Sequence, residues 1–225
     1  MDRERYRRES RGLEFDRVSF FTDAVYAIAM TLLVVELQPP ELAAVRDPAA
    51  LWNALWDERS GVIGFFVGFI LIGRYWLAHH QFFASLRSVD AGLISLNLVY
   101  LAFIAFMPFP VALLSNYEEN PVSFFMFAGC MAVVSLLEVA MFLWAARSGH
   151  LRFAATPEVM RFAMIAGGAP VLVMLASFPL ALYSTTWALL SWLVVFPIGA
   201  ILDRRTPAAL RADAGDVEDG GGGGE

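Results

Sequence analysis

The amino-acid sequence predicts an all-α membrane protein whose chain crosses the bilayer six times. Hydrophobic residues make up 58% of the 225 residues, and only 17% of the residues are charged. A soluble domain carries about a quarter charged residues, so the composition fits a chain surrounded by lipid. The apolar residues also form several runs that are long enough to span a bilayer as a helix, which takes about 20 residues.

Hydropathy and helix-breaking residues divide the chain into six predicted crossings. The Pro39–Pro40 pair ends the first crossing, and Asp90 separates the second from the third. The boundary between the last two crossings is the least marked, because only the polar residues 183–186 divide them. A kink at Pro179 would instead make the two one broken unit. The predicted crossings are residues 17–38, 60–82, 91–115, 121–146, 159–184 and 186–202.

The arginines predict the orientation of the chain in the membrane. The chain has 16 basic residues, all of them arginine, and all except Arg46 and Arg59 lie on the side of the two termini. Cytoplasmic loops carry the excess of positive charge in membrane proteins. We therefore expect a multi-pass protein of the cell membrane with both termini in the cytoplasm. Residues 1–16 would form a basic segment, 17–207 the six-helix unit, and 208–225 a disordered acidic, glycine-rich tail.

The sequence carries no signature of an enzyme, a cofactor site or a nucleic-acid-binding protein. The motifs of serine hydrolases, zinc proteases and phosphate-binding loops are absent, and so is the carbonyl filter motif of potassium channels. The neighbouring His79 and His80 point about 100° apart on a helix, which disfavours a shared metal ion. We expect no enzyme activity, no cofactor, no resident metal ion and no nucleic-acid partner.

Several polar side chains lie within the predicted crossings, where burial in lipid is costly. Arg17 and Asp23 are six residues apart, about 120° around a helix, so Asp23 needs a partner on another helix. Trp76, His79, His80 and Asn97 are predicted at the same depth on the second and third crossings. Three interpretations remain open for this group: a structural clamp between three helices, a proton or ion site, and a gating element.

Glu138 lies midway along the fourth predicted crossing, where an unpaired charge would be costly. It is predicted to be neutral, to pair with an arginine such as Arg74, or to face an aqueous cavity. A proton-coupled secondary transporter that uses Asp23, His79 and Glu138 as a relay is therefore the alternative function.

The opposite side of the first helix is almost entirely apolar. Ile28 lies about 140° around the helix from Asp23. By its pattern alone, this side faces lipid or packs on another helix. Its members recur at helical spacing: Phe21, Ala24, Ile28, Thr31, Leu32 and Val35.

The first three crossings resemble the transmembrane protein 175 family of endosomal and lysosomal potassium channels, which has prokaryotic relatives. The family hallmark is Arg-x-x-x-Phe-Ser-Asp, and this chain has Arg17 followed by Phe21, Thr22 and Asp23. The resemblance continues through residues 27–33, through Tyr-Trp-Leu-Ala-His-His at 75–80, Asn97 and Met-Pro-Phe at 107–109. It covers roughly residues 14–115.

The resemblance implies a passive potassium channel in which four one-unit subunits form a homotetramer. Four copies of the first helix would surround the pore, and apolar side chains would take the place of a carbonyl filter. K⁺ would be the permeant ion, and lipid and further copies of the chain would be the partners. The implied pore residues are Ile28, Thr31, Leu32 and Val35. The implied structural or gating network is Arg17, Phe21, Thr22 and Asp23 with Trp76, His79, His80 and Asn97.

Overall fold

The computed structural model describes residues 2–40, 47–204 and 207, without the side chains of residues 2–14, 196 and 203. Within these ranges the chain is almost entirely helical. The α-helices are α1 (Asp2–Leu32), α2 (Pro48–Asp57), α3 (Arg59–Ala84), α4 (Ala91–Phe106), α5 (Pro108–Asn116), α6 (Pro121–Arg147), α7 (Pro157–Ala176), α8 (Phe178–Tyr183), α9 (Thr185–Ser191) and α10 (Val195–Arg204). Two 3-10 turns follow α1 and α9, at Leu33–Glu36 and Trp192–Val194.

Six segments of the described chain are long and apolar enough to cross a membrane, which confirms the predicted number of crossings. The third crossing combines α4 and α5, and the fifth combines α7 and α8. The protein is thus a multi-pass, all-α membrane protein. The segments are Phe15–Glu36, Arg59–Ala84, Ala91–Asn116, Pro121–Arg147, Pro157–Tyr183 and Thr185–Leu202.

Polar caps define where the membrane helices begin. The Asp90 carboxylate accepts a hydrogen bond from the Leu93 backbone N–H at 2.7 Å and starts α4. Asn120 caps α6 and Thr156 caps α7 in the same way. A short polar side chain at this position satisfies one of the free N–H groups of a helix start. These caps explain why the predicted boundaries agree with the structure to within a few residues.

The fifth and sixth crossings are separate, so the alternative of a single broken unit at Pro179 is wrong. Pro179 lies in the first turn of α8, where a missing N–H is tolerated. Ser184 is extended, with φ −159° and ψ 120°, and its hydroxyl caps α9. The extended residue ends one crossing and starts the next.

Three parts of the chain differ from the predicted organisation or lie outside the residues that the structure describes. Residues 39–59 are predicted to be a connection between two crossings, whereas the structure contains α2 there, capped by Asp47. At the N-terminus, α1 runs without a break from Asp2 into the first crossing. The predicted tail, residues 208–225, lies outside the described residues.

The bundle is organised around two helices. The central α6 packs against α4, α5 and α7, while α1 packs against α3 and α4. The buried core runs through these contacts and includes Tyr26, Ile72, Tyr100, Ile104 and Met141. α1 therefore has one side in the bundle and one side outside it.

One end of the bundle is held by paired connections. The α3–α4 and α6–α7 connections meet in a short antiparallel bridge at Leu86 and Leu151. Asp90 also accepts hydrogen bonds from the Trp144 indole and lies 3.1 Å from the His150 imidazole. The Leu93 N–H, then His150 and Trp144, lower the pKa of Asp90 below its ordinary value. This cluster fixes the start of α4 against the end of α6.

Candidate functional site

The central feature of the site is a buried hydrogen-bonded chain across three helices. Asn97 of α4 donates through Nδ2 to the Thr22 hydroxyl of α1 at 3.0 Å. Its Oδ1 accepts a hydrogen bond from His79 Nε2 of α3 at 2.8 Å. All three side chains are at most 3% exposed. Because an amide oxygen only accepts, the proton of this imidazole lies on Nε2.

A second contact joins α1 to α3 beside this chain. The Trp76 indole donates to Asp23 Oδ1 at 2.8 Å. The His80 ring stacks on Trp76, with ring centroids 5.4 Å apart. The Asp23 carboxylate thus has a donor from a neighbouring helix, as a polar group at membrane depth requires. The two histidines take different environments, since His79 is buried and His80 is exposed.

The structure brings together six of the eight residues predicted for the network. Arg17 and Phe21 are exposed, and among the described residues they make no hydrogen bond, ion pair or ring contact with the other members. Their predicted role in the network remains a prediction. The six that meet are Thr22, Asp23, Trp76, His79, His80 and Asn97.

A further polar chain behind the first helix was not predicted from the sequence. The Tyr100 hydroxyl donates to Glu138 Oε1 at 3.0 Å and is hydrogen-bonded to the Tyr26 hydroxyl. Both tyrosines are almost completely buried. A signal was present, because Tyr26 follows Thr22 by four residues and Tyr100 follows Asn97 by three. Such spacings place side chains on one helix face.

The partners of Glu138 argue against one interpretation of this residue, an ion pair with Arg74. It accepts from Tyr100, and it makes no ion pair with Arg74 among the residues that the structure describes. Nor does any hydrogen bond in the described chain join Asp23, His79 and Glu138 to one another. Each of the three is bonded instead to a neutral side chain: Trp76, Asn97 and Tyr100. The geometry therefore does not provide the direct relay that the transporter alternative requires.

The predicted pore residues lie together on the uncovered side of α1. Ile28, Leu32 and Val35 are 58%, 43% and 59% exposed, and Thr31 is exposed beside them. The Thr31 hydroxyl donates to the Ile28 carbonyl at 2.9 Å, which leaves the lone pairs of its oxygen free. The side chain of Val35 belongs to the 3-10 turn that follows α1. We call the surface of Ile28, Thr31, Leu32 and Val35 the α1 stripe.

Comparison with known proteins places this arrangement in a family. Residues 17–108 match the family described as the endosomal/lysosomal potassium channel TMEM175. A protein of Streptomyces collinus that is named as a potassium channel is 34% identical over 181 residues, which cover 75% of this chain and 86% of that protein. The endosomal/lysosomal proton channel TMEM175 of Gallus gallus is 30% identical over 116 residues, 49% of this chain and 23% of that protein.

The fold also resembles that of a solved TMEM175 homologue. The crystal structure of a lysosomal potassium-selective channel TMEM175 homologue from Chamaesiphon minutus matches with a TM-score of 0.68. The match covers 87% of this chain and 99% of that chain, at 24% sequence identity. The six-crossing architecture is thus shared over nearly the whole of the solved homologue. By the length and identity of the match to the Streptomyces collinus protein, the chain belongs to the TMEM175 family.

Proposed function

We propose that this protein is a passive, potassium-permeable cation channel of the cell membrane that works as a homotetramer. Four copies of α1 would surround the pore, with the α1 stripe facing the ion. The observation that carries the proposal is the two-sided character of α1. One side is hydrogen-bonded to α3 and α4 through Asp23 and Thr22, while the stripe is uncovered in the single chain.

The side chains of the stripe suit a hydrophobic constriction. A ring of four Ile28 side chains would close a narrow pore by excluding water from it. A slightly wider ring would pass a cation that has lost part of its hydration shell, and K⁺ gives up water more readily than Na⁺. The Thr31 oxygens would replace part of the lost hydration one turn further along. Glu36 would attract cations at the outer mouth.

The residues of the polar chain have a positioning role in this proposal. Asn97, His79 and Thr22 would set the tilt of α1, and Asp23 with Trp76 would set its rotation. They would act on the ion through the placement of Ile28, since Thr22, His79 and Asn97 are buried in the bundle. Asp23 and Trp76 bond to each other across α1 and α3 and are not part of the stripe. The arginine distribution supports an orientation with both termini in the cytoplasm.

Ion replacement with the purified protein in planar bilayers tests this function. We expect a passive K⁺ current whose reversal potential follows the K⁺ gradient and shifts by only a fraction of the H⁺ equilibrium potential in a pH gradient. Ile28→Asn places amides in the constriction, so it should wet the pore, raise the conductance and reduce the preference for K⁺ over Na⁺.

The matched control is Ile165→Asn on α7. Ile165 is also exposed, at 48%, but α7 does not pack against α1. It should leave conductance and ion preference unchanged. Equal effects of the two substitutions would contradict the assignment of Ile28 to the constriction. Flux that saturates with substrate and requires a pH gradient would instead indicate the transporter alternative.

A further inference from the structure

A side cavity lies in the bundle away from the α1 stripe. It has a volume of about 160 Å³ and lies between α3, α6 and α7. A cavity of about 150 Å³ with apolar walls holds a benzene molecule, so this one has room for a single ring with a short substituent. Its lining residues are Ala78, His79, Phe82, Glu138, Val139, Met141, Phe142, Ala163 and Gly167.

The cavity has one acidic group among mainly apolar walls. Glu138 Oε1 accepts from Tyr100, whereas Oε2 has no hydrogen-bond partner among the described residues. Arg74, one turn before Ala78 on α3, is exposed and forms no ion pair with Glu138 within the described chain. A carboxylate in such surroundings is costly without a cationic partner that also donates hydrogen bonds.

The remaining walls favour an organic cation over a metal ion. Phe82 and Phe142 stand side by side, with ring centroids 6.3 Å apart, and present aromatic surface to the cavity. Aromatic rings attract ammonium groups and pack against apolar groups. Metal cations such as Ca²⁺ and Mg²⁺ need about six oxygen ligands, and the cavity offers one carboxylate. The His79 imidazole, whose Nε2 is bonded to Asn97, is the other titratable side chain in the wall.

From this combination we propose that the cavity is a binding site for a small primary amine with one aromatic ring, bound as the ammonium ion. The ammonium group donates to Glu138 Oε2, and the ring packs against Phe82 and Phe142. An alkyl ammonium is protonated at neutral pH, like the side chain of lysine. Binding at this site does not depend on ion conduction, so the failure of one proposal leaves the other standing.

The site is also connected to the first helix. Glu138 is bonded to Tyr100, and Tyr100 is bonded to Tyr26 of α1. An ammonium ion on Oε2 withdraws negative charge from the carboxylate that Tyr100 contacts. Three hydrogen bonds would therefore connect the bound amine to the helix that carries the α1 stripe: amine to Glu138, Glu138 to Tyr100, and Tyr100 to Tyr26.

Binding of 4-fluorobenzylamine to the full chain in lipid nanodiscs, followed by fluorine NMR, tests the proposal. 4-Fluorotoluene has the same ring without the ammonium group and reports apolar binding alone. We expect saturable binding of the amine to the wild-type protein. Glu138→Gln should weaken amine binding about tenfold or more, since it removes one member of a buried charge pair, while fluorotoluene binding stays unchanged.

Two further variants separate the cavity from other sites. Ala163→Leu fills the cavity and should abolish saturable binding of both probes. Glu119→Gln removes an exposed carboxylate outside the cavity and should change neither. Equal amine affinity in the wild type and Glu138→Gln would overturn the proposal, and so would amine binding that survives Ala163→Leu, which would indicate partition into lipid.

Discussion

At the scale of single residues, the Asn97 side chain connects three helices through one amide group. Its amide donates to Thr22 and accepts from His79 at the same time, so one residue of α4 joins α1 and α3. A carboxylate could not donate, and an ammonium could not accept. An amide of this length meets both requirements without placing a charge in the core.

Replacement of Asn97 by alanine should destabilise the subunit by about 1–2 kcal/mol. The substitution leaves the His79 Nε2–H and the Thr22 hydroxyl without partners in an apolar core, and losses of such bonds between membrane helices reach about 1.7 kcal/mol. Reversible unfolding in mixed micelles, followed by circular dichroism, measures the change.

The control for this substitution is Asn116→Ala. The Asn116 amide is exposed and donates only to the Ala112 carbonyl of its own helix. Its removal should alter stability by no more than a few tenths of a kcal/mol, in line with other surface substitutions. If both variants unfolded at the same denaturant concentration, Asn97 would not hold the helices together.

At the scale of helices, the close approach of α4 to α6 depends on Gly92. A Cβ atom at this position would lie 2.2 Å from Cζ2 of the Trp144 ring. The ring cannot move aside freely, because its indole N–H is bonded to the Asp90 carboxylate that caps α4. The glycine, the cap and the tryptophan therefore form one packed unit at the end of the bundle.

Gly92→Ala should consequently lower the thermal stability of the purified protein, with a cost of about 1–3 kcal/mol that is typical of overpacking. The matched control is Gly129→Ala on α6, where an added Cβ meets no atom within 4 Å. Alanine there should be neutral or stabilising by up to about 1 kcal/mol, because it is the better helix former. An unchanged melting temperature in Gly92→Ala would contradict this prediction, because it would show that the Trp144 ring moves aside at no cost in stability.

At the scale of the whole molecule, the proposed tetramer brings four α1 stripes to one axis, and disulfide cross-linking tests this arrangement. Cys130 is the chain's single cysteine and is buried, so Cys130→Ala provides a background without thiols. In that background Ile28→Cys should form covalent dimers on mild oxidation, because Cα atoms across a narrow constriction come close enough for a disulfide.

The cross-linking control is Ile165→Cys on α7, which should stay monomeric under the same oxidation. Dimers from the α7 position alone would mean that the subunits meet through another face. Dimers from neither position, in protein that still conducts K⁺, would place α1 away from the pore axis.

The sequence predicts the membrane helices well because their signals are local. Long apolar runs, the Asp90 cap and the Ser184 break each act within a few residues. The link between Tyr26 and Tyr100 spans 74 residues of sequence, so it depends on how α1 and α4 pack. The spacing of Tyr26 from Thr22 and of Tyr100 from Asn97 indicates the helix face of each tyrosine, but it does not identify the partner on the other helix.

The candidate site, too, could be predicted from the sequence only in part. The residues around Asn97 could be predicted because a polar side chain at membrane depth requires a partner. The cavity beside Glu138 could not, because it arises from the spacing of three helices, and its smallest lining residues, Ala78, Ala163 and Gly167, look like ordinary helix contacts in the sequence. The exposure of Ile28 is likewise a property of the folded subunit.

The distribution of bonds along α1 has a mechanical consequence. Among the described side chains, those of α1 that bond to other helices are Thr22, Asp23 and Tyr26, whereas Leu33 is buried by apolar contacts alone. Hydrogen bonds are directional and apolar contacts are not, so we expect α1 to swing about a point near Tyr26, the last of these bonded residues. At 1.5 Å per residue, Ile28 lies about 3 Å and Val35 about 14 Å from that point. A small swing would therefore open the outer mouth several times as far as the level of Ile28, and the pore would widen towards the outside.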